Sequence, residues 1–511
     1  MLRSARSCFR PATFPKLSRG LYSSKQTRAS QNDSFSSIED VERFISGCGP
    51  RFSMHGSAVD ILTSPSQFYS TLLNGTKTAQ SRVVLSCLYL GNGELEQGLV
   101  DSLLQNPHIA VGRCTAHVLL DGTRGTRGIK NSVTMLLPLR QQYPLHTRVS
   151  LYHSPDLRGI LRRAPSPFNE VIGLNHLKIF CFDDTLILSG ANLSHDYFTS
   201  REDRYFLFRH AALANFFVDL VSVVGAFSLQ SEPDGSFSHR QGYHPFFDDK
   251  RRFKDSLRAG ILDLLARYGD NAAQEGCGKD EHVQYTGNTD SAVGAANGDL
   301  CGQTRNTDSK TGSSSASPTT AVPPALPDTH VFPLLQMGPY GIRRDFTLTR
   351  ALFAGLGSGW HVHLASGYFN LVEEYVNALL SSSSYWDILT ASPRANSFFG
   401  ARGVIGRIPK AYTYIETEFL WRLKRATREH VRLLEYFREG WTFHVKGLWA
   451  ARRACNGERV YESSQNRSSL VASADNRPCL QNARRLLPSL TLIGSPNFGY
   501  RSVHRDLEAQ V

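Results

Sequence analysis

The nine cysteines of this 511-residue chain contain no CxxC pair, are odd in number and lie scattered from Cys8 to Cys479. That pattern argues against a disulfide framework and against a zinc site, and suits a reducing compartment. No apolar run reaches the roughly 18 residues that a membrane-crossing helix needs, so none is expected. Acidic residues are missing before Asp33, while Arg3, Arg6, Arg10, Lys16, Arg19, Lys25 and Arg28 are spread among Ser, Leu and Phe. This is the make-up of a mitochondrial transit peptide over 1–32, with processing expected near 19–24; a plain basic tail is the alternative. The Gly-rich stretch DGTRGTRGIKN (121–131) lacks the GxxxxGK[ST] spacing, so ATP binding is not expected.

What is present is globular in kind, with 41% hydrophobic and 20% charged residues. A net charge of +12 and a pI near 9.3 favour anionic partners: phosphate esters, nucleic acid or an acidic lipid surface. Residues 269–328 are poor in large apolar side chains and rich in Gly, Ser, Thr, Asn and Pro. Such a segment cannot bury enough surface to order itself, so it is read as a disordered linker or insertion between parts at 50–268 and 329–511.

The two parts read as distant copies. RVVLSCLYLGNGELEQGLVDSLL (82–104) is a strand, a loop and an amphipathic helix, and HVHLASGYFNLVEEYVNALL (361–380) repeats that plan. AHVLLDGT (116–123) and WDILTASP (386–393) follow as second strands. Alternating strands and helices predict an α/β fold.

Each copy then reaches a His-x-Lys strand. Residues two apart on a strand share a face, so His176 and Lys178 project together, as do His444 and Lys446. Asp183 and Asp184 predict a two-residue turn whose return strand brings Gly190 and Asn192 back beside His176. The second copy offers Gly494, Ser495 and Asn497. Asn192 to Asp203 is eleven residues, and Asn497 to Glu508 is also eleven. A single His-x-Lys is common by chance; two, each followed by Asn and a carboxylate at equal spacing, are not.

This set suits chemistry at phosphorus. Lys and Asn donors stabilise the charge that develops on a phosphoryl group, one neutral His attacks phosphorus, and the other acts as acid and then base. Asp203 and Glu508 are the candidates to orient the imidazoles from their far nitrogens, and the scheme needs no metal.

His176-x-Lys178-x4-Asp183 is the signature of the phospholipase D superfamily, which the chain resembles. The strings GANLSHDYFTSREDRY, DGTRGTRGIKNSVTMLLPL, YHSPDLRGILRR, ASPRANSFFGARGV, GWTFHVKGLW and TLIGSPNFGYRSVHRDLEAQ are similar to the mitochondrial phosphatidylglycerophosphate synthases of eukaryotes, over nearly all of 50–268 and 329–511. The resemblance implies two phospholipase D-like α/β/α halves with the active site at their interface. It implies transfer of a phosphatidyl group from CDP-diacylglycerol to sn-glycerol 3-phosphate, releasing CMP, as the committed step toward cardiolipin. It implies peripheral attachment to the anionic inner mitochondrial membrane, with no nucleic acid as partner. By analogy, His176 is the nucleophile and His444 the general acid/base.

The chain departs from the pattern in three places. Ala451 stands where the second motif would have its aspartate. Asp183 itself lies about 16 Å along the strand from Lys178, at roughly 3.3 Å per residue, so it is read as a turn former although it completes the signature. Residues 450–489 form a long connection, read as an insertion. The final RDLEAQV reads as a strand without partner or cap, so a truncated sequence is expected.

Smaller signals remain. Arg124, Arg127 and Lys130 are candidates to grip the cytidine diphosphate or the glycerol phosphate, against a solvated basic loop. Arg158, Arg162 and Arg163 are candidates for anionic headgroups. Phe398 and Phe399 are candidates to dip into a membrane, against core packing, and Tyr89 and Tyr368 occupy equivalent places after the first strand of each copy. Two other classes stay open: a phospholipase or nuclease that passes the group to water, and a catalytically silent membrane scaffold.

Overall fold

A computed structural model describes residues 35–47, 49–163, 168–271, 326–403, 405–453 and 487–511. The expected targeting segment and most of the two expected insertions, 272–325 and 454–486, lie outside the described residues.

The two copies share one strand plan. In the first, Thr147–Tyr152, Thr115–Asp121 and Arg82–Ser86 run parallel in that spatial order; Ile179–Phe182 and Thr185–Ser189 then follow antiparallel. In the second, Val431–Tyr436, Tyr385–Ala391 and Trp360–Ser366 run parallel, followed by antiparallel Lys446–Arg452 and Leu490–Leu492. The first sheet has nine strands and is buried on both faces. Val83 and Leu85 sit in one core and Val84 in the other, which is why this strand reads as a continuous apolar run. Pro65–Thr78, Glu94–Leu104 and Ser132–Gln142 cover one face; Ala211–Ala226 and Lys250–Asn271 cover the other. In Ala211–Ala226 the buried Leu213, Phe216, Phe217, Leu220, Val221 and Val224 recur at helical spacing.

Three boundaries differ from the sequence reading. The helix Lys250–Asn271 runs past 268, and Thr329–Val331 pairs antiparallel with Phe52–Met54, so the expected second part begins on the first. The helix Ile38–Ser46, capped by Ser37 and Asp40, buries Val41 and Ile45 in the core of the second half. Leu507–Gln510 does have a partner: it pairs along its length with Leu334–Met337. That partner lies far back in the chain, beyond the undescribed segment, where local sequence gives no hint of it.

The two hairpin ends also differ. Asp183 adopts φ +52°, and its carboxylate accepts hydrogen bonds from the backbone N–H groups of Gln80, Ser81 and Arg82. It ties the turn to the neighbouring strand at the end of the hairpin away from His176. The second copy has no turn at this level. Its strand continues to Arg452, and Ala451 is buried within it.

Two variants test this account. Asp183→Ala removes the carboxylate that accepts from three backbone N–H groups and strains the left-handed turn. It should cost roughly 1–3 kcal/mol in stability while kcat is unchanged. Asp345 is buried against Thr349 and Gln510, and burial pushes its carboxyl up to about 7. Between pH 4 and 7 the folded state therefore holds a proton that the unfolded chain has lost, so this group lowers stability as pH rises through that window. Asp345→Asn removes the dependence, and its Tm relative to the unmodified protein should be higher at pH 8 than at pH 5.

Candidate active site

The two His-x-Lys segments do not pair with each other. Each is stitched to the stretch before the other half's carboxylate. Asn175 forms a parallel bridge to Leu507, and His176 N–H donates to Leu507 O at 3.0 Å. Reciprocally, Thr442–Phe443 runs parallel to Arg201–Glu202, and His444 N–H donates to Glu202 O at 2.9 Å. This backbone strapping puts Glu508 Oε2 2.8 Å from His176 Nδ1 and Asp203 Oδ2 2.7 Å from His444 Nδ1. The equal spacing in the sequence suggested a carboxylate for each half; the structure exchanges them, so each imidazole is oriented by the opposite half.

Both carboxylates accept only, so each fixes the proton on Nδ1 of its histidine and leaves the lone pair on Nε2. Glu508 is held in turn by Ser502 Oγ at 2.7 Å, and Asp203 by the Arg204 N–H at 2.8 Å. Burial pushes both carboxyls up, but the charges around them outweigh it. Lys446 and His444 hold Asp203 below its ordinary value, and His176, Lys178 and Ser495 do so for Glu508. Lys178 donates to His176 O at 2.8 Å, and burial brings its ammonium down to about 7. Lys446 Nζ lies 2.8 Å from His444 Nδ1 and 3.8 Å from Asp203 Oδ2. Lys178 feels Glu508, Lys446 and Asp203, and Lys446 feels Asp203 and Glu508. The two pairs thus form one buried electrostatic cluster.

The imidazoles are both neutral but not alike. Burial lowers His176, and Glu508 opposes the shift. Burial and then Lys446 take His444 down to about 3. The expectation of a protonated His444 therefore does not describe the unliganded site.

The other expected residues fall as follows. Asn192 accepts from Leu88 N–H and donates to the Tyr197 hydroxyl, which lies 3.3 Å from His444 Nε2. It thus serves the histidine of the other half, where the hairpin pattern had placed it beside His176. Gly190 is required by close approach: a Cβ there would stand 2.5 Å from Asp203 Oδ1 and 2.6 Å from Lys446 Nζ. Ser495 is buried and bonded to Ala509. Asn497 has a buried Oδ1 with no partner among the described residues; turned over, the amide offers N–H groups instead. Asp183 lies at the far end of its hairpin. Arg158 holds the carbonyls of Pro245 and Asp248, a structural task rather than the headgroup contact expected of it. Tyr368 meets the edge of His444 at 5.6 Å and packs on Phe398, while Phe399 is exposed.

The sequence reading missed Tyr197 and Ser502. Both stand five residues after an expected Asn and six before an expected carboxylate, so the spacing that flagged their neighbours carried their signal too. It also missed the approach of His361, His363 and Asp387, whose ligand atoms lie within 4.8 Å of one another. The signal was the His-x-His on a strand. Arg432 already grips that Asp387 with two donors at 2.5 and 2.7 Å, and the group lies on the sheet face away from the helices.

Comparison with known proteins identifies relatives of the whole chain. A Cricetulus griseus protein named CDP-diacylglycerol–glycerol-3-phosphate 3-phosphatidyltransferase, mitochondrial, is 41% identical over 484 residues, covering 93% of this chain and 77% of its own length. A Schizosaccharomyces pombe CDP-diacylglycerol–glycerol-3-phosphate 3-phosphatidyltransferase is 30% identical over 498 residues, covering 92% of this chain and 88% of its own length. The crystal structure of phosphatidylserine synthase from Haemophilus influenzae shares the fold, with a TM-score of 0.57 at 17% identity over 93% of this chain and 86% of that one. No family model matches the chain. With such identity sustained across more than nine tenths of its length, the chain belongs to the CDP-diacylglycerol–glycerol-3-phosphate 3-phosphatidyltransferase family.

Proposed function

We propose that this chain transfers the phosphatidyl group of CDP-diacylglycerol to sn-glycerol 3-phosphate through a phosphohistidine on His176. The observation that carries the reading is the pair of neutral imidazoles, each with Nδ1 on a carboxylate of the opposite half, in one buried cluster with two lysines.

His176 Nε2 attacks the phosphatidyl phosphorus. A P–N bond forms as the P–O bond to CMP breaks, and CMP leaves with the electron pair. The leaving group is a phosphate whose last pKa is about 6, so it departs without needing a proton. The difficult proton is that of the acceptor hydroxyl. His444, held neutral, takes it, the alkoxide oxygen attacks phosphorus, and the P–N bond returns its electron pair to His176. Of the two roles expected of it, acid and then base, a depressed His444 fits the base role better. Lys178 and Lys446 neutralise the charge at phosphorus in both steps. The donor's phosphoanhydride drives the transfer, so the scheme calls for no ATP.

The Cricetulus griseus relative's name places it in mitochondria, and this chain is read likewise. Among the described residues no helix is long and apolar enough to cross a membrane. For a lipid substrate, we read the contact as peripheral, on the inner membrane, with a lipid surface rather than nucleic acid as partner. The favoured docking face carries the exposed Ile129, Ile160, Leu161, Val171 and Phe247 beside basic Arg162 and Arg163. Glu170 links the Ile129 loop to the Val171 turn, and Arg162 stacks over Phe247.

Purified protein given CDP-diacylglycerol and labelled glycerol 3-phosphate should make phosphatidylglycerophosphate and CMP without ATP. Release of phosphatidic acid in place of that lipid would identify a hydrolase. His176→Ala and His444→Ala should each lose about 100-fold or more in rate, measured as lipid product, and undiminished turnover in either would refute the roles. The triple variant Ile129→Ser, Ile160→Ser, Phe247→Ser should sediment less with vesicles of anionic phospholipid; equal sedimentation would remove this docking face.

A further inference from the structure

In the first half, between the loop at Tyr89–Asn92 and the basic segment 124–131, lies a cavity of about 410 Å³, lined by Tyr89, Asn92, Arg124, Arg127, Lys130 and Asn131. Resting on the transfer reading above, we infer that this cavity binds the phosphate monoester of the acceptor, and that Arg124, Arg127 and Lys130 set the preference for a phosphorylated alcohol.

Charge is the first argument. Three cations converge here against one carboxylate, Glu170, which lies 3.5 Å from Arg124 and 3.4 Å from Arg127. The net charge is +2 (three minus one), a match for a phosphate monoester, which carries close to −2 at neutral pH. The Lys130 ammonium has no hydrogen bond or ion pair among the described residues, so it is available to a ligand. Arg124 is held in place by its stack over the Tyr89 ring, 4.6 Å from the centroid, and its planar fork suits phosphate oxygens.

Position is the second argument. A hydrogen-bond chain that starts one residue before the lining Tyr89 runs to His444, the base that must meet the acceptor hydroxyl. Leu88 N–H donates to Asn192, Asn192 donates to Tyr197, and Tyr197 reaches His444 Nε2. Tyr89 is bonded to Ser194 and lies within electrostatic reach of Tyr197 and Tyr368, both of which touch the His444 ring. A three-carbon phosphate ester anchored by its phosphate in the basic cavity directs its far hydroxyl toward that imidazole. The donor's reacting phosphate has its own cations, Lys178 and Lys446.

A second cavity among the described residues differs in kind. Its Arg394 and Arg438 lie over Phe437 and Trp441, and Arg394 pairs with Glu439, leaving a net charge of +1 (two minus one) and an aromatic wall. It is the poorer match for a compact dianion.

The test separates the two half-reactions. Exchange of labelled CMP into CDP-diacylglycerol needs the donor site and His176 but no acceptor. Lys130→Gln, a change at an exposed residue, and Arg124→Gln should each raise KM for glycerol 3-phosphate by about tenfold or more. The CMP exchange rate and KM for CDP-diacylglycerol should stay unchanged. An unaltered KM for glycerol 3-phosphate, or exchange that falls in step with transfer, overturns the assignment. If the unmodified protein exchanges CMP yet makes no phosphatidylglycerophosphate, the transfer reading itself fails, an outcome distinct from either.

Discussion

The structure depends on one reciprocal interaction: each half lends its carboxylate to the other half's histidine. Asp203 and Glu508 are buried acids, which is costly unless their charge is compensated. The compensation comes across the interface, from His444 and Lys446 in one direction and His176 and Lys178 in the other. Neither half can complete its site alone. The same strapping makes the interface rigid where chemistry needs it, because the backbone pairs beside each carboxylate set the distance to each imidazole.

Reciprocity does not make the halves equivalent. His444 sits between Lys446 and Tyr197, while His176 feels Lys178 and two carboxylates, Glu508 and Asp506. The resulting difference in basicity suits a two-step transfer in which one imidazole makes a bond to phosphorus and the other handles a proton. The asymmetry at the far ends of the hairpins has no bearing on this. Asp183 stabilises a turn, and Ala451 continues a strand, both remote from the reacting atoms.

Much of the site was legible because duplication leaves a numerical trace. Two His-x-Lys strands with Asn and a carboxylate at matching offsets identified His176, Lys178, His444, Lys446, Asp203 and Glu508 without any fold. The direction of pairing was not legible, since intervals along the chain say nothing about which half a side chain faces. The α/β layering followed from the alternation of strands and helices, whereas the burial of Arg82–Ser86 on both faces emerged only with the fold. What failed were long-range pairings: Leu507–Gln510 with Leu334–Met337, and Ile38–Ser46 with the second core. Both join segments more than a hundred residues apart, where no local pattern encodes the partner.

The helix Ile38–Ser46 carries a consequence for how the molecule is made. It leaves a ribosome long before its partners do, for its Val41 and Ile45 belong to the core that holds Leu352, Trp360 and Phe498. Vectorial folding, in which early segments close on their own neighbours, cannot complete here. The helix must wait, with its apolar face uncovered, until several hundred later residues arrive to receive it.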